Sequence, residues 1–483
     1  MAEPAETPAK YKIDLKRAAV DVKRLPDGSL ILRSPYALPT PDENNGAWLR
    51  KWAAEEPSRL FMAKLFQTDD DFPVWEEITY DDALKQMRAI AQAFAVRDLS
   101  PTRPVLLISK NGIQNALVQL AAMDIGVPAI HINPTFALLP DQFYGFKHIV
   151  DQTSPGLVFA AEGLPFANAL KYAADQGAEI LLCSEPVKDL KSTEFKKITK
   201  SWRKGAAKKA RAKVTPETTA KVHFSGTTSD TMPAIATAQV TMCANQEALA
   251  EILPALSARA PVVVDDAPWH RTGSGNLVLN AVLRNGGTLY IDRFGQEENS
   301  AGKGDNLVSP SPSIHITELM PLFGLITRLE EDVLLRKAFF RNLDLIWIVS
   351  GIITDKARYR LQKLALEQTN FEVPILASFT GSGTSAVNTA LYFETDVTSN
   401  IGLPLPGTFL KLVKIDGEEG DVFELRVKAP GTQPGIWKDS AVIEAETDED
   451  GFYAVSETVR LIDEKRPFKG IERISRVDGV TKA

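Results

Sequence analysis

The segment SGTTSDTMP, residues 225–233, decides how the rest of the chain is read. It follows TPETTAKVHF, residues 215–224, and leads toward MCANQ at residues 242–246. Hydroxyls and a glycine on a turn after a strand can cradle phosphate oxygens through O–H and backbone N–H groups. A lysine in such a loop would add positive charge where charge develops on a leaving phosphate. Residues 225–243 contain no Lys or Arg, and Asp230 adds a negative charge instead. Like charge disfavours a polyphosphate. The other reading is an ordinary Ser/Thr-rich turn between a strand and a loop.

Working outward, helical and strand patterns alternate. Residues 80–97 carry Leu84, Met87, Ile90, Ala91 and Phe94 at three- and four-residue spacing, which predicts a helix. Thr79 can cap it, with Asp81 and Asp82 in its first turn. Residues 105–109 and 127–132 read as buried strands around a helix at 111–126, with Gly126 closing it. Residues 157–160 and 180–183 repeat the theme around a helix at 164–176. After the loop, strands are expected at 262–265, 288–291, 343–349 and 375–379, and helices at 276–285, 318–326 and 355–367. Such alternation predicts two doubly wound, mainly parallel α/β units. Beyond residue 395 short strands at 409–415, 423–427, 442–446 and 459–462, separated by Asp-Gly and Glu-Gly turns, predict a small antiparallel β-barrel. The expected divisions are an N-terminal extension at 1–45, α/β subdomains at 46–235 and 236–395, the barrel at 396–475, and a short tail at 476–483.

Composition sets outer bounds. The chain has 483 residues, 44% of them hydrophobic, enough for several cores. Two cysteines give no disulfide framework, no apolar run is long enough to span a bilayer, and the polar N-terminus lacks the order of a secretory signal. These features fit the cytoplasm. The net charge is −7, yet residues 196–213 hold nine Lys/Arg and no acid, leaving −16 for the remainder. That segment reads either as an anion-contacting surface or as a solvated helix leading to the loop strand. No nucleic-acid motif accompanies it. The five histidines lack metal-ligand spacing, so no metal site is expected.

Many segments, in order, resemble the adenylate-forming superfamily of acyl-CoA synthetases, luciferases and peptide-synthetase adenylation domains. Within it the chain is most similar to bacterial feruloyl-CoA synthases. The resemblance rests on RPVLLISKNGIQNALVQLAAMDIGVPAIHINPTF (103–136), HIVDQTSPGLVFA (148–160), APWHRTGSGN (267–276), NGGTLYID (285–292), IGLPLPGTFLKLV (401–413), TQPGIWKD (432–439) and GFYAVSETVRLID (451–463). It implies two flavodoxin-like subdomains, a distorted barrel, and ATP-Mg activation of a small carboxylic acid followed by transfer to CoA. It also implies that the chain stops at the hinge, ERI at 472–474, ahead of the family's mobile C-terminal domain.

The resemblance assigns candidate residues. Ser225, Gly226, Thr227 and Thr228 match the phosphate loop, with Ala234 in the place of its lysine. Thr380, Gly381, Ser382 and Gly383 match a Gly-Ala-Thr-Glu motif whose Glu holds magnesium; residues 373–393 contain no carboxylate. Tyr453 to Glu457 match a Tyr-x-x-Gly-Asp motif that grips ribose, with Glu457 for the Asp, and Arg473 matches a ribose-contacting arginine. Trp269, His270, Arg271 and Gly275 match the acid-pocket motif, with Arg271 in the family's histidine place. The catalytic residues are left unassigned. Three functions follow: an AMP-forming acid–CoA ligase, a catalytically degenerate relative that binds nucleotide, acyl ligand or a related ligase in a homo- or hetero-oligomer, or a ligase repurposed around Arg271 and the serines.

Overall fold

A computed structural model describes residues 10–67, 73–200, 205–224, 234–291, 310–349, 351–381, 384, 386–415, 421–430, 435–438 and 441–476. Its secondary structure builds two large sheets and one small one.

The first sheet has nine strands in the order Ala441–Glu444, Gly435–Lys438, Ala234–Ala238, Thr219–Phe224, Ala129–His131, Val105–Leu107, Leu157–Glu162, Glu179–Ser184 and Thr193–Glu194. From Thr219–Phe224 onward the pairing is parallel. The second sheet also has nine strands. They run Leu403–Pro404, Thr389–Leu391, Ile375–Phe379, Leu345–Ile348, Ile314–Thr317, Val262–Asp265, Thr288–Ile291, Leu60–Gln67 and Pro73–Thr79. Its six central strands are parallel.

Alternation along each strand sorts side chains to two faces. In the first sheet Val105 and Leu107 join the central core, whereas Leu106 and Ile108 join a core under helices Phe143–Thr153 and Ala167–Asp175. In the second sheet Val263, Leu345 and Trp347 face the same central core, whereas Val264, Ile346 and Ile348 face helices Leu319–Glu331, Val333–Arg341 and Asp355–Thr369. The shared middle layer holds helices Asn45–Glu55, Tyr80–Phe94, Ile113–Asp124, Gln239–Ile252 and Thr272–Asn285. The result is the layered α/β architecture that the strand–helix alternation predicts. The Thr79 hydroxyl accepts from the Asp82 amide, and Gly126 takes φ 77° just past the Ile113–Asp124 helix.

The third sheet is the small antiparallel unit. Its six strands run Asp21–Arg24, Leu30–Arg33, Phe409–Lys414, Phe423–Lys428, Tyr453–Leu461 and Ile471–Arg476. Leu30, Leu32, Leu410, Leu412, Leu425, Val427 and Val459 form its core.

Three placements differ from the sequence reading. The strand expected at 442–446 is Ala441–Glu444, and it hairpins with Gly435–Lys438 onto the first sheet rather than the third. The cause is Trp437, fully buried in the first sheet's outer core, together with Gly435, whose missing Cβ lets Ala236 and Val442 come close. The hairpin Leu60–Gln67/Pro73–Thr79 lies within the stretch read as the first α/β unit, yet extends the second sheet. Residues of the N-terminal extension pack on the body: Ile13, Leu15, Tyr36 and Leu38 meet the central core, and Lys16 pairs with Glu251 at 3.0 Å.

The basic segment forms short helices, Phe195–Ile198 and Ala206–Arg211. Most of its described lysines are exposed, but Arg211 chelates the fully buried Asp124 carboxylate, with contacts of 2.6–2.9 Å. Arg50 reaches the same carboxylate at 2.6 Å. Among the described residues no helix is long and apolar enough to cross a membrane.

Candidate nucleotide cleft

The carboxyl ends of parallel strands in an open α/β sheet are where such folds hold ligands. Here Glu318 follows strand Ile314–Thr317, Val349 follows Leu345–Ile348, and Ser378 and Phe379 end Ile375–Phe379. All four line a cavity of about 330 Å³, with Ile235, Arg271, Thr272, Gly273, Ser274, Thr380, Gly381 and Arg473. A second cavity of about 320 Å³ adjoins it, bordered by Thr398, Ser399 and Asn400. The two share Gly351, Ser378, Phe379 and Arg473 and so form one cleft.

Arg473 is positioned by backbone. Its amide donates to the Ser399 carbonyl at 2.9 Å, and the Ile401 amide donates to the Ile471 carbonyl at 2.8 Å. The side chain ion-pairs with Glu457 at 3.1 Å, the carboxylate being 4% exposed and the guanidinium 46%. Glu457 lines neither cavity; its carboxylate is turned to Arg473. Ser456, before it, sits at φ 55° where the strand pairing slips its register. That left-handed backbone explains why the matching motif carries glycine there.

The described residues of the small-residue loop bond to one another. The Thr384 amide and hydroxyl both donate to the Gly381 carbonyl, at 3.0 and 2.8 Å, and Asn388 donates to the Thr384 hydroxyl at 2.8 Å. A Cβ on Gly381 would sit 3.0 Å from Val455, so Gly381 lies against the strand that carries Glu457. Ser382 and Gly383 lie outside the described residues, as do Ser225, Gly226, Thr227 and Thr228. Their flanks are described: Phe224 pairs with Ala234, which is fully buried, and Ile235 borders the cleft.

The acid-pocket candidates separate. Arg271 is on the cleft wall, its Nη1 donating to Glu318 Oε1 at 2.5 Å. Trp269 lines neither cavity; it is 2% exposed, in the central core, with Nε1 donating to Asp265 at 2.8 Å. Gly275 also lies behind the wall, where a Cβ would stand 2.1 Å from the Trp269 carbonyl oxygen. We expect Gly275→Ala to destabilise the fold by about 2–4 kcal/mol, seen as a lower urea midpoint. An unshifted midpoint would show that the 268–275 turn yields easily.

Behind that wall lies a polar cluster of which the sequence reading singled out only His270. Lys221 is fully buried and donates to the Gly275 carbonyl at 2.6 Å. Burial pushes its amine down to about 7. His131 is pushed down to about 3 by burial, with help from His270, and His223 to about 3 by burial and Lys221. His270 falls to about 4 through burial and the Arg271 charge. The neutral rings find partners: His131 Nε2 with the Ser109 carbonyl at 2.8 Å, and His223 Nε2 with Asn276 Oδ1 at 3.1 Å. The available signal was the strand TAKVHF, whose two-residue period sets Lys221 and His223 on the face opposite Val222.

A profile of the family described as "AMP-binding enzyme" matches residues 49–299, so the chain belongs to the AMP-binding enzyme family. No curated protein sequence matches it. Solved structures share the fold at low identity. A long-chain-fatty-acid-CoA ligase from Archaeoglobus fulgidus superimposes with TM-score 0.73 at 14% identity, over 92% of this chain and 86% of that one. ATP-bound MatB from Rhodopseudomonas palustris gives 0.63 at 16%, over 90% and 79%. A luciferase-like enzyme from the nonluminescent Zophobas morio mealworm gives 0.67 at 16%, over 90% and 96%.

Proposed function

We propose that this chain is an acid–CoA ligase-type member of its family, similar to feruloyl-CoA synthases, that binds an adenine nucleotide in the cleft but activates carboxylates poorly. The observation that carries the nucleotide reading is Arg473, which lines both halves of the cleft and is braced by Glu457. A guanidinium held there can donate to ribose hydroxyls or phosphate oxygens. The ATP-bound MatB structure, of the same fold, supports the choice of ligand.

The impairment follows from missing charge. Residues 225–243 offer no cation to a leaving pyrophosphate, and residues 373–393 no carboxylate to a magnesium ion. Among the described residues lining the cleft Glu318 is the only carboxylate, and Arg271 engages it. Magnesium asks for several oxygen ligands in octahedral array. The described donors do not fit it. Losing one preorganised charge costs on the order of 10²–10³ in rate. CoA as acceptor and hydroxycinnamic acids as substrates rest on the sequence resemblance.

The test uses purified protein with ATP-Mg, CoA and a panel of hydroxycinnamic and fatty acids. AMP and ATP are expected to raise the unfolding temperature, with little acid-dependent pyrophosphate release. Release at the rate of an ordinary ligase would overturn the impairment; absence of any nucleotide effect would overturn the binding site. Arg473→Ala is expected to weaken AMP about 10- to 100-fold, as for loss of a charge-assisted hydrogen bond, measured by titration calorimetry. AMP affinity equal to wild type would move the nucleotide away from Arg473.

A further inference from the structure

We propose that Arg271 is an oxyanion-binding residue of the cleft and that Glu318 acts as its built-in competitor, a carboxylate that an incoming phosphate or carboxylate group displaces. The proposal rests on the reading of the cleft as a nucleotide site. Among the described residues, the charged ones lining the 330 Å³ cavity are Arg271, Arg473 and Glu318. Two arginines favour an anion, and the single acid opposes it.

The pair joins two helix starts. Arg271 precedes helix Thr272–Asn285, and Glu318 precedes helix Leu319–Glu331. A glutamate there is placed to accept from its own helix's first amides. Glu318 makes no such side-chain cap; it turns to Arg271 instead. The contact is one hydrogen bond, Nη1 to Oε1, which leaves other guanidinium donors unused by the pair. Arg271 is 57% exposed and Glu318 19%. An ion pair this wet is screened and easily opened. A phosphate or carboxylate that met the guanidinium with two oxygens would replace one hydrogen bond with two.

The backbone supports such an exchange. The Arg271 carbonyl is fixed, accepting from the Gly275 amide at 2.8 Å, and Ser274 donates to the Pro268 carbonyl at 2.5 Å. The side chain can therefore swing while the turn stays in place. Glu318 sits at the end of a strand and its peptide is extended, with φ −97° and ψ 167°.

Titration calorimetry of the full chain, with inorganic pyrophosphate, ferulate and adenosine as probes, tests this. Glu318→Gln is expected to tighten pyrophosphate, ferulate or both by about tenfold, leaving adenosine unchanged. Whichever anion gains identifies the group Arg271 receives. The double variant Glu318→Gln with Arg271→Gln is expected to return to wild-type affinity. Thermal unfolding checks that the variants fold, and Glu318→Ala is expected to give the same gain. Adenosine binding intact with neither anion tightened overturns the proposal, as does a gain that survives removal of Arg271. Failure of adenosine and AMP to bind wild type would instead overturn the nucleotide reading, and an anion gain in Glu318→Gln would still stand on its own.

Discussion

Acidification from pH 8 to pH 5 is expected to destabilise the fold by on the order of 8 kcal/mol. Four histidines drive it. Burial holds His131 and His223 down to about 3, and His270 and His315 to about 4. Their unfolded values lie near 6.5. As pH falls below about 6.5 the unfolded chain takes up protons that the folded chain refuses, so stability drops. At pH 5 each histidine costs about 2 kcal/mol, from about 1.4 kcal/mol per unit. Lys221 acts in the same direction at higher pH: its folded value of about 7 lies below the ordinary amine value of 10.5, so stability keeps rising with pH across that window. Urea melts at pH 5, 6.5 and 8 read this out. Equal midpoints would mean that water reaches the cluster and the rings protonate in the folded state.

Asp124→Asn is expected to cost about 3–5 kcal/mol, the range for removing one partner of a buried ionic network. Asp124 ends helix Ile113–Asp124, where the helix dipole disfavours a negative charge. Arg50 and Arg211, 25% and 28% exposed, grip both of its oxygens and offset that cost. An amide leaves two half-buried cations sharing one neutral oxygen. Arg211→Ala, which leaves the Arg50–Asp124 pair, is expected to cost less. A change in urea midpoint worth under about 1 kcal/mol for Asp124→Asn would mean that the arginines turn outward to water.

The fold was legible where hydrophobic period is unambiguous. Strands Val262–Asp265, Thr288–Ile291 and Ile375–Phe379 are apolar but for one residue each, and the sequence pattern places both ends of each. Helix Thr272–Asn285 begins four residues earlier than its apolar pattern, because Thr272, Gly273 and Ser274 are small and polar and give no periodic signal. Strand Gly435–Lys438 could not be assigned to a sheet from sequence, since only tertiary packing seats Trp437 under the first one. Within the site, motif spacing brought Arg271, Gly381 and Arg473 to one cleft. It could not show that Trp269 and Gly275 form the backing of the wall, nor that Glu318, 47 residues along the chain, would occupy Arg271. Side-chain pairs that far apart in sequence leave no local trace.

The third sheet has a consequence for the order of events on the ribosome. Leu30 pairs with Leu412, so the LILR strand near the start of the chain docks on one near its end. At about 5–20 residues per second of synthesis, the early strand waits roughly 20–80 seconds for its partner. Until then a flat apolar segment stands open to other nascent chains. Trimming the chain past residue 33 would turn Phe409–Lys414 from an interior strand into a permanent sticky edge.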